Sequence, residues 1–541
     1  MRYFIALLAA LLTTQLQAKE PRNIIIMIGD GMGPAYTTGY RYFADDPTTP
    51  KVESTVFDQM LTGMASTYPD EPDTVVTDSA AAATALATGH KTYNGAIAVD
   101  RQKVALSSIM DMAKRLGKST GIAVTSQINH ATPAAFLVHN ENRSNYNAIA
   151  DAYFDDRIDG KFRADVMFGG GTQYFKRPDR DLVAEFEAAG YHFASDSASL
   201  AALSQGPALG LFADVGLPSA IDDTQGPRLD AMTAKAVELL NQNPKGFVLM
   251  VEGSQIDWAG HSNDIVTAMH EMKDFAKAIR WAKDFADSRD DTLVVVTADH
   301  STGGLTLGAA GKYQWRADFL RKIPNSPGVI AARLAQESEP AKALPALLGF
   351  NPSKDETSNL MDAMSDGQEA LVSAIKSLID KRSLTGWTTS GHTAVDVPIF
   401  ADGVDKDRFD GFMDNTEIAK RLFALLQPGE QLIGQFQTPP APKAEATKAP
   451  VVATPAPAAP TAMPLPSTPK AQSPAPKADL PAAKPQAAPA PAPAPAPAPK
   501  DTPVKDETAQ PAAPVSAAEA TPTEAPKAAS EQLVEDKQQQ L

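Results

Sequence analysis

Four short runs of the chain are apolar at almost every position: 23–28, 121–125, 247–251 and 292–297. They are rich in β-branched residues and do not alternate with polar ones, the pattern of strands buried on both faces. Between them, apolar residues recur at helical spacing over 106–115, Leu229–Leu240 and 265–285. A further apolar run, 397–400, comes later. Strands alternating with amphipathic helices predict an α/β fold, a three-layer sandwich with a mostly parallel central β-sheet flanked by helices. In such sheets chemistry collects beyond the carboxyl ends of the strands. Polar residues stand there: Gly29-Asp30-Gly31 after the first run, Glu252 after the third and Asp299-His300 after the fourth.

The two ends of the chain break this pattern. Arg2, an apolar stretch over 4–12 and Leu16-Gln17-Ala18 read as a signal peptide over 1–18. That stretch is too short to span a bilayer, and no later run predicts a transmembrane segment. Most of the 44 prolines lie from Pro439 onward, and 488–499 is almost pure Pro-Ala alternation. Such a segment cannot bury enough apolar surface to offset its ordering entropy. A disordered Pro/Ala-rich tail over 437–541 is therefore expected, either a passive solvated segment or a tether to cell wall or partner. The folded part is 19–436, and the expected location is periplasmic or secreted.

Composition narrows the chemistry. The net charge of -16 gives no basic surface for nucleic acid. The absence of cysteine excludes disulfides, thiolate metal sites and thiol nucleophiles. Any tightly bound metal must be held by His, Asp, Glu and hydroxyl oxygen.

Five motifs offer such donors, and each has a plain structural alternative. Asp30 fits a strand-ending turn as well as a ligand role. Ser79 begins a run of alanines, so Thr77, Asp78 or Ser79 reads as a helix cap. The same helix start would offer free N–H groups and a positive dipole end to a phosphate, with a serine placed to attack it. A serine hydroxyl needs activation, and a metal is the economical agent, since no histidine is near in sequence. Asp257 and His261, four apart, lie on one helix face, as an ion pair or as chelators of one ion. Asp299-His300 and His392 complete the inventory, with Glu252 at its strand end. His90, His139, His192 and His270 are left to packing or solvent.

In this order the five motifs resemble the alkaline phosphatase family, from about Asn23 to Gly403, with a poorly matched stretch over about 308–385. The segment from Ala87 to Gly95 also resembles it, and the tail lies outside. The resemblance implies a hydrolase of phosphate monoesters that forms a phosphoserine at Ser79, with two zinc ions and one magnesium ion. It implies that Asp257, His261 and His392 hold one zinc, and that Asp30, Asp299 and His300 hold the second together with Ser79. Asp30 would bridge to magnesium, completed by Thr132 and Glu252. Arg143 matches the arginine that grips two phosphate oxygens. His130 and Trp258 fall at substrate-side positions that vary in the family. Here a lysine contact to phosphate is missing, which implies easier product release, and His130 leaves the identity of the third metal open. Relatives are commonly homodimers.

Two rivals remain: a phosphodiesterase or phosphotransferase of the same superfamily, and a non-catalytic periplasmic binding protein. The intact set around Ser79 argues against the second.

Overall fold

The computed structural model describes residues 20–427, Thr224 excepted. The expected leader over 1–18 and tail over 437–541 lie outside the described residues.

Ten strands form one sheet: β1 (Asn23–Gly29), β2 (Leu61–Ser66), β3 (Ser119–Gln127), β4 (Val166–Gly170), β5 (His192–Ala194), β6 (Ala208–Leu211), β7 (Phe247–Gly253), β8 (Thr292–Ala298), β9 (Val397–Gly403) and β10 (Gly411–Asp414). Their order is β10-β2-β9-β8-β1-β7-β3-β4-β6-β5. Every pairing from β8 across to β5 is parallel. β9 runs antiparallel to both β8 and β2. The four apolar runs are the central strands β1, β3, β7 and β8, and β1 and β8 are buried at every position, so no alternation was available to read.

Register at the centre decides where the chemistry lies. Gly29 pairs with Ala298 on one side and with Gly253 on the other. Asp30 and Asp299 therefore leave the sheet side by side, and Glu252 lies one residue inside the same edge, opposite Ile28. Parallel pairing brings these ends together although Asp30 lies more than two hundred positions from Glu252 and Asp299.

Among the helices, Leu229–Leu240 forms as expected and Ile265–Asp287 runs two residues beyond its expected end. Asp264 caps the latter, accepting from the backbone N–H of Val266 and Thr267. The helix expected over 106–115 instead starts at Ile109. Ser108 and Asp111 close a reciprocal capping box there, and the Leu106 N–H bonds to the Ala98 carbonyl at 2.9 Å, outside the helix. The poorly matched stretch is mostly helical and ends in the helix Gln368–Ser383. Among the described residues no helix is long and apolar enough to cross a membrane.

Candidate metal centre

Ser79 is the first residue of the helix Ser79–Thr88, every position of which is buried. Asp78 is the cap, accepting from the Ala81 N–H. This settles the choice among Thr77, Asp78 and Ser79, and it leaves the Ser79 hydroxyl free of capping. Ser79 Oγ lies 3.2 Å from His300 Nε2.

Two donor groups flank this hydroxyl. In the first, Asp257 and His261 come from the helix Gln255–His261, with Nε2 of His261 3.3 Å from Asp257 Oδ2. His392, on the short strand His392–Thr393, brings its Nε2 to 3.1 Å from that of His261 and 3.6 Å from Asp257 Oδ1. In the second, His300 Nε2 lies 3.2 Å from Asp299 Oδ2 and 3.5 Å from Asp30 Oδ1. The groups abut, since the rings of His300 and His392 stack with centroids 3.5 Å apart. A third group joins Asp30 and Glu252 to His130. Thr132 is the second residue of the helix Ala131–Leu137, with its buried Oγ1 lacking a hydrogen-bond partner.

The donors fit divalent cations. Around a tetrahedral ion with ligands at about 2.0–2.2 Å, donor atoms stand roughly 3.3–3.6 Å apart, and the observed separations of 3.1–3.6 Å match. The two imidazoles of the first group are also held from behind. Nδ1 of His261 faces the Ser390 carbonyl at 2.6 Å and Nδ1 of His392 faces the Thr77 carbonyl at 2.8 Å. Those carbonyls accept only a proton-bearing Nδ1, so the Nε2 lone pairs point inward. Both oxygens of Asp30, both of Glu252 and Oδ2 of Asp299 are buried without hydrogen-bond partners, a costly arrangement unless a cation answers it.

The electrostatics agree. Burial, with Asp299, Asp257 and Glu252 nearby, holds the Asp30 carboxyl well above the usual range. Burial likewise raises Asp299 to about 7 and Glu252 to about 8. Burial would raise Asp257 too, but its bond to His261 and the other imidazoles outweigh it and hold Asp257 low. Burial, then the cationic Arg143, depresses His130 to about 3, so it stays neutral and available as a donor.

Arg143 Nη1 is tied to Asp78 Oδ2 at 3.0 Å, and its Nη2 lies 3.4 Å from His130 Nε2. His130, expected on the substrate side, is thus a member of the third donor group and meets Arg143 from within it. Trp258 belongs to no donor group. It meets His130 edge-on and lies against Gly216, where a Cβ would fall 2.4 Å from Trp258 Cζ3. His139 and His270 bond to backbone carbonyls elsewhere, and His90 and His192 also stand outside the donor groups.

Two residues escaped the sequence reading. Asp78 anchors Arg143 besides capping the helix. Thr302 donates to Asp257 Oδ1 and meets His300 Nδ1 at 3.2 Å, linking the two groups. Their partners lie 65 and 45 positions away, so only the fold reveals these roles.

A serine at a buried helix start, flanked by acid and imidazole donors at the carboxyl edge of a parallel sheet, defines a divalent-metal centre of an α/β protein. The chain belongs to the alkaline phosphatase family, whose model matches residues 21–428. It is 48% identical over 413 residues to alkaline phosphatase 3 of Bacillus subtilis, covering 75% of this chain and 89% of that one. Its fold is similar to the crystal structure of a cold-active alkaline phosphatase from a psychrophilic Shewanella, at TM-score 0.72 and 53% identity, covering 75% of this chain and 99% of that one. It is also similar to alkaline phosphatase of the Antarctic bacterium TAB5 in a His-to-Glu variant described with Mg bound in its M3 site, at TM-score 0.57 and 29% identity, covering 76% of this chain and 100% of that one.

Proposed function

We propose that this chain hydrolyses phosphate monoesters to alcohol and inorganic phosphate through a phosphoserine at Ser79. The observation that carries this reading is the buried Ser79 Oγ, 3.2 Å from His300 Nε2 and left unused by the cap of its own helix. In this reading Asp257, His261 and His392 hold one zinc, and Asp30, Asp299 and His300 hold the second with the Ser79 oxygen. Asp30, Thr132 and Glu252 hold magnesium, with His130 beside them. A relative is described with Mg in its M3 site once a histidine has been replaced by Glu, which supports a third cation position; the magnesium assignment here rests on the oxygen donors Asp30, Thr132 and Glu252. When bound, these cations supply positive charge that favours the ionised serine and offsets charge on the phosphoryl and leaving oxygens.

The chain's own groups do the rest. The helix start presents N–H groups and its dipole to the phosphoryl oxygens. Arg143, oriented by Asp78, grips two of them through its planar fork. Ser79 Oγ bonds to phosphorus as the ester P–O bond breaks and the alcohol departs. A water oxygen then bonds to phosphorus as the Oγ–P bond breaks, releasing phosphate and returning the proton to Ser79. Positioning and charge account for most of such catalysis. We assign 1–18 as an export leader, 19–436 as the catalytic domain and 437–541 as a tail that tethers the enzyme or is trimmed, with a homodimer as the assembly.

The test is Ser79→Ala, with p-nitrophenyl phosphate turnover and metal content measured together. Turnover should fall by about 10⁴-fold or more while the Asp257 group keeps its metal. A fully active variant overturns the reading, and faster cleavage of the bis-ester by the native protein would favour a diesterase.

A further inference from the structure

The loop that ends at His392 supplies the first donor group twice, through His392 itself and through the Ser390 carbonyl behind His261. Thr388, Thr389 and Ser390 are exposed, so little covers this loop from outside. It is held from beneath. Gly303, with φ +78°, lies so close to Trp387 that a Cβ there would fall 2.6 Å from Trp387 Cε3. The Gly303 N–H donates to the Gly391 carbonyl at 2.8 Å, and the Thr388 N–H donates to the Gly303 carbonyl at 3.1 Å. Asn263 Nδ2 donates to the Thr389 carbonyl at 2.9 Å. Lys376, on the helix Gln368–Ser383, donates to the Ser262 carbonyl next to His261 at 2.5 Å. The stretch least like the family pattern thus reaches the backbone one residue beyond a donor, His261.

We infer, on the proposed metal reading, that Trp387 is a positioning residue for the Asp257–His261–His392 group. Its ring on Gly303 sets the loop that presents His392 Nε2 and the Ser390 carbonyl, and so governs how fast metal leaves this group. Without the ring, the loop keeps its hydrogen bonds to Gly303 and Asn263 and the pairing of His392–Thr393 with Ser301–Thr302, each bond of small net strength, but loses the side-chain packing beneath it. Groups that orient a ligand from behind typically change metal affinity by about 10–100-fold when removed.

The full chain, loaded with zinc, is mixed with excess chromophoric chelator and release is followed in time. Two phases are expected, and the one missing from His392→Ala marks the first group. Trp387→Ala should speed that phase by about 10–100-fold and leave the other unchanged. Trp387→Phe, which keeps a ring on Gly303, should return it to near the wild-type rate. Release of the first metal at the wild-type rate from Trp387→Ala overturns the inference, and so does equal acceleration of both phases. If Trp387→Ala fails to fold, Trp387→Leu takes its place: a faster first phase supports the inference and an unchanged one overturns it. A native chain that takes up no zinc instead sinks the metal reading on which the inference stands.

Discussion

The two donor groups beside Ser79 use the same two kinds of side chain, Asp and His, in different surroundings. Asp30, Asp299 and His300 are fully buried, on strand ends paired in register. In the other group Asp257 is buried too, but the His261 side chain is 43% exposed and His392 arrives on a strand of only two residues, His392–Thr393. One group is fixed by the backbone pairing of the sheet and can loosen only if the sheet opens. The other is fixed by a short helix and a few loop contacts, which open locally at far lower cost. A centre built this way keeps one rigid position and one exchangeable position within a single ring stack.

Stripping all metal is the largest perturbation. It should abolish turnover and, for a metal present at a thousand times its Kd, remove about 4 kcal/mol of stability per site. Chelator titration with activity and thermal melting read together should show the His261 group emptying first. Loss from the buried group first, or from both together, breaks the comparison.

A pH series sharpens it. In the stripped protein Asp299 titrates near about 7 and Glu252 near about 8, both raised by burial above their unfolded values. A raised acid means that the folded state holds protons the unfolded chain has already released. The stripped protein is therefore most stable below about pH 4 with respect to these groups, and it loses that contribution as pH rises to 8. Cations replace those protons in the loaded protein. The gap in Tm between loaded and stripped forms should widen between pH 5 and 8, on the order of a few kcal/mol in stability. A constant gap would mean that the buried carboxylates do not face the metals.

A smaller effect is expected at the hinge between the groups. Thr302→Val keeps the shape and removes the hydroxyl that serves Asp257 and His300 together. Zinc affinity should fall by about 10–100-fold, the usual range for such outer contacts. Isothermal titration of the stripped variant would measure this, and a loss confined to one group would place Thr302 with that group alone.

Much of the buried group was legible in the sequence, because Asp30, Glu252 and Asp299 follow or close runs whose apolar character is set by full burial. The exposed group was harder to read. Asp257 and His261 show helical spacing, but nothing local separates a chelating pair from an ion pair, and a single His after Gly at 392 carries no pattern. Asp78 was legible as a possible cap but not as the anchor of Arg143, and Thr302 and the carbonyls of Thr77 and Ser390 were illegible, since backbone and hydroxyl partners leave no signature along the chain. The last two strands at one side of the sheet were equally hidden. Leu61 is 58% exposed and Phe412 is 67% exposed, so β2 and β10 lack the continuous apolar run of the centre. The late start of the helix at Ile109 was readable in principle, because Ser108 and Asp111 have capping-box spacing. The apolar pattern pulled the boundary outward to Leu106, whose N–H is taken by a loop carbonyl.

Asp30 belongs to two donor groups at once, with Asp299 and His300 and with His130 and Glu252. A shared ligand makes the occupancies of its two positions interdependent. The first ion to arrive changes the charge the second meets, and by linkage each alters the other's affinity by the same factor. The response of such a pair to scarce metal is then a property of the pair: a single site of either kind, transplanted without Asp30, would lose not only a ligand but the steepness with which the centre fills.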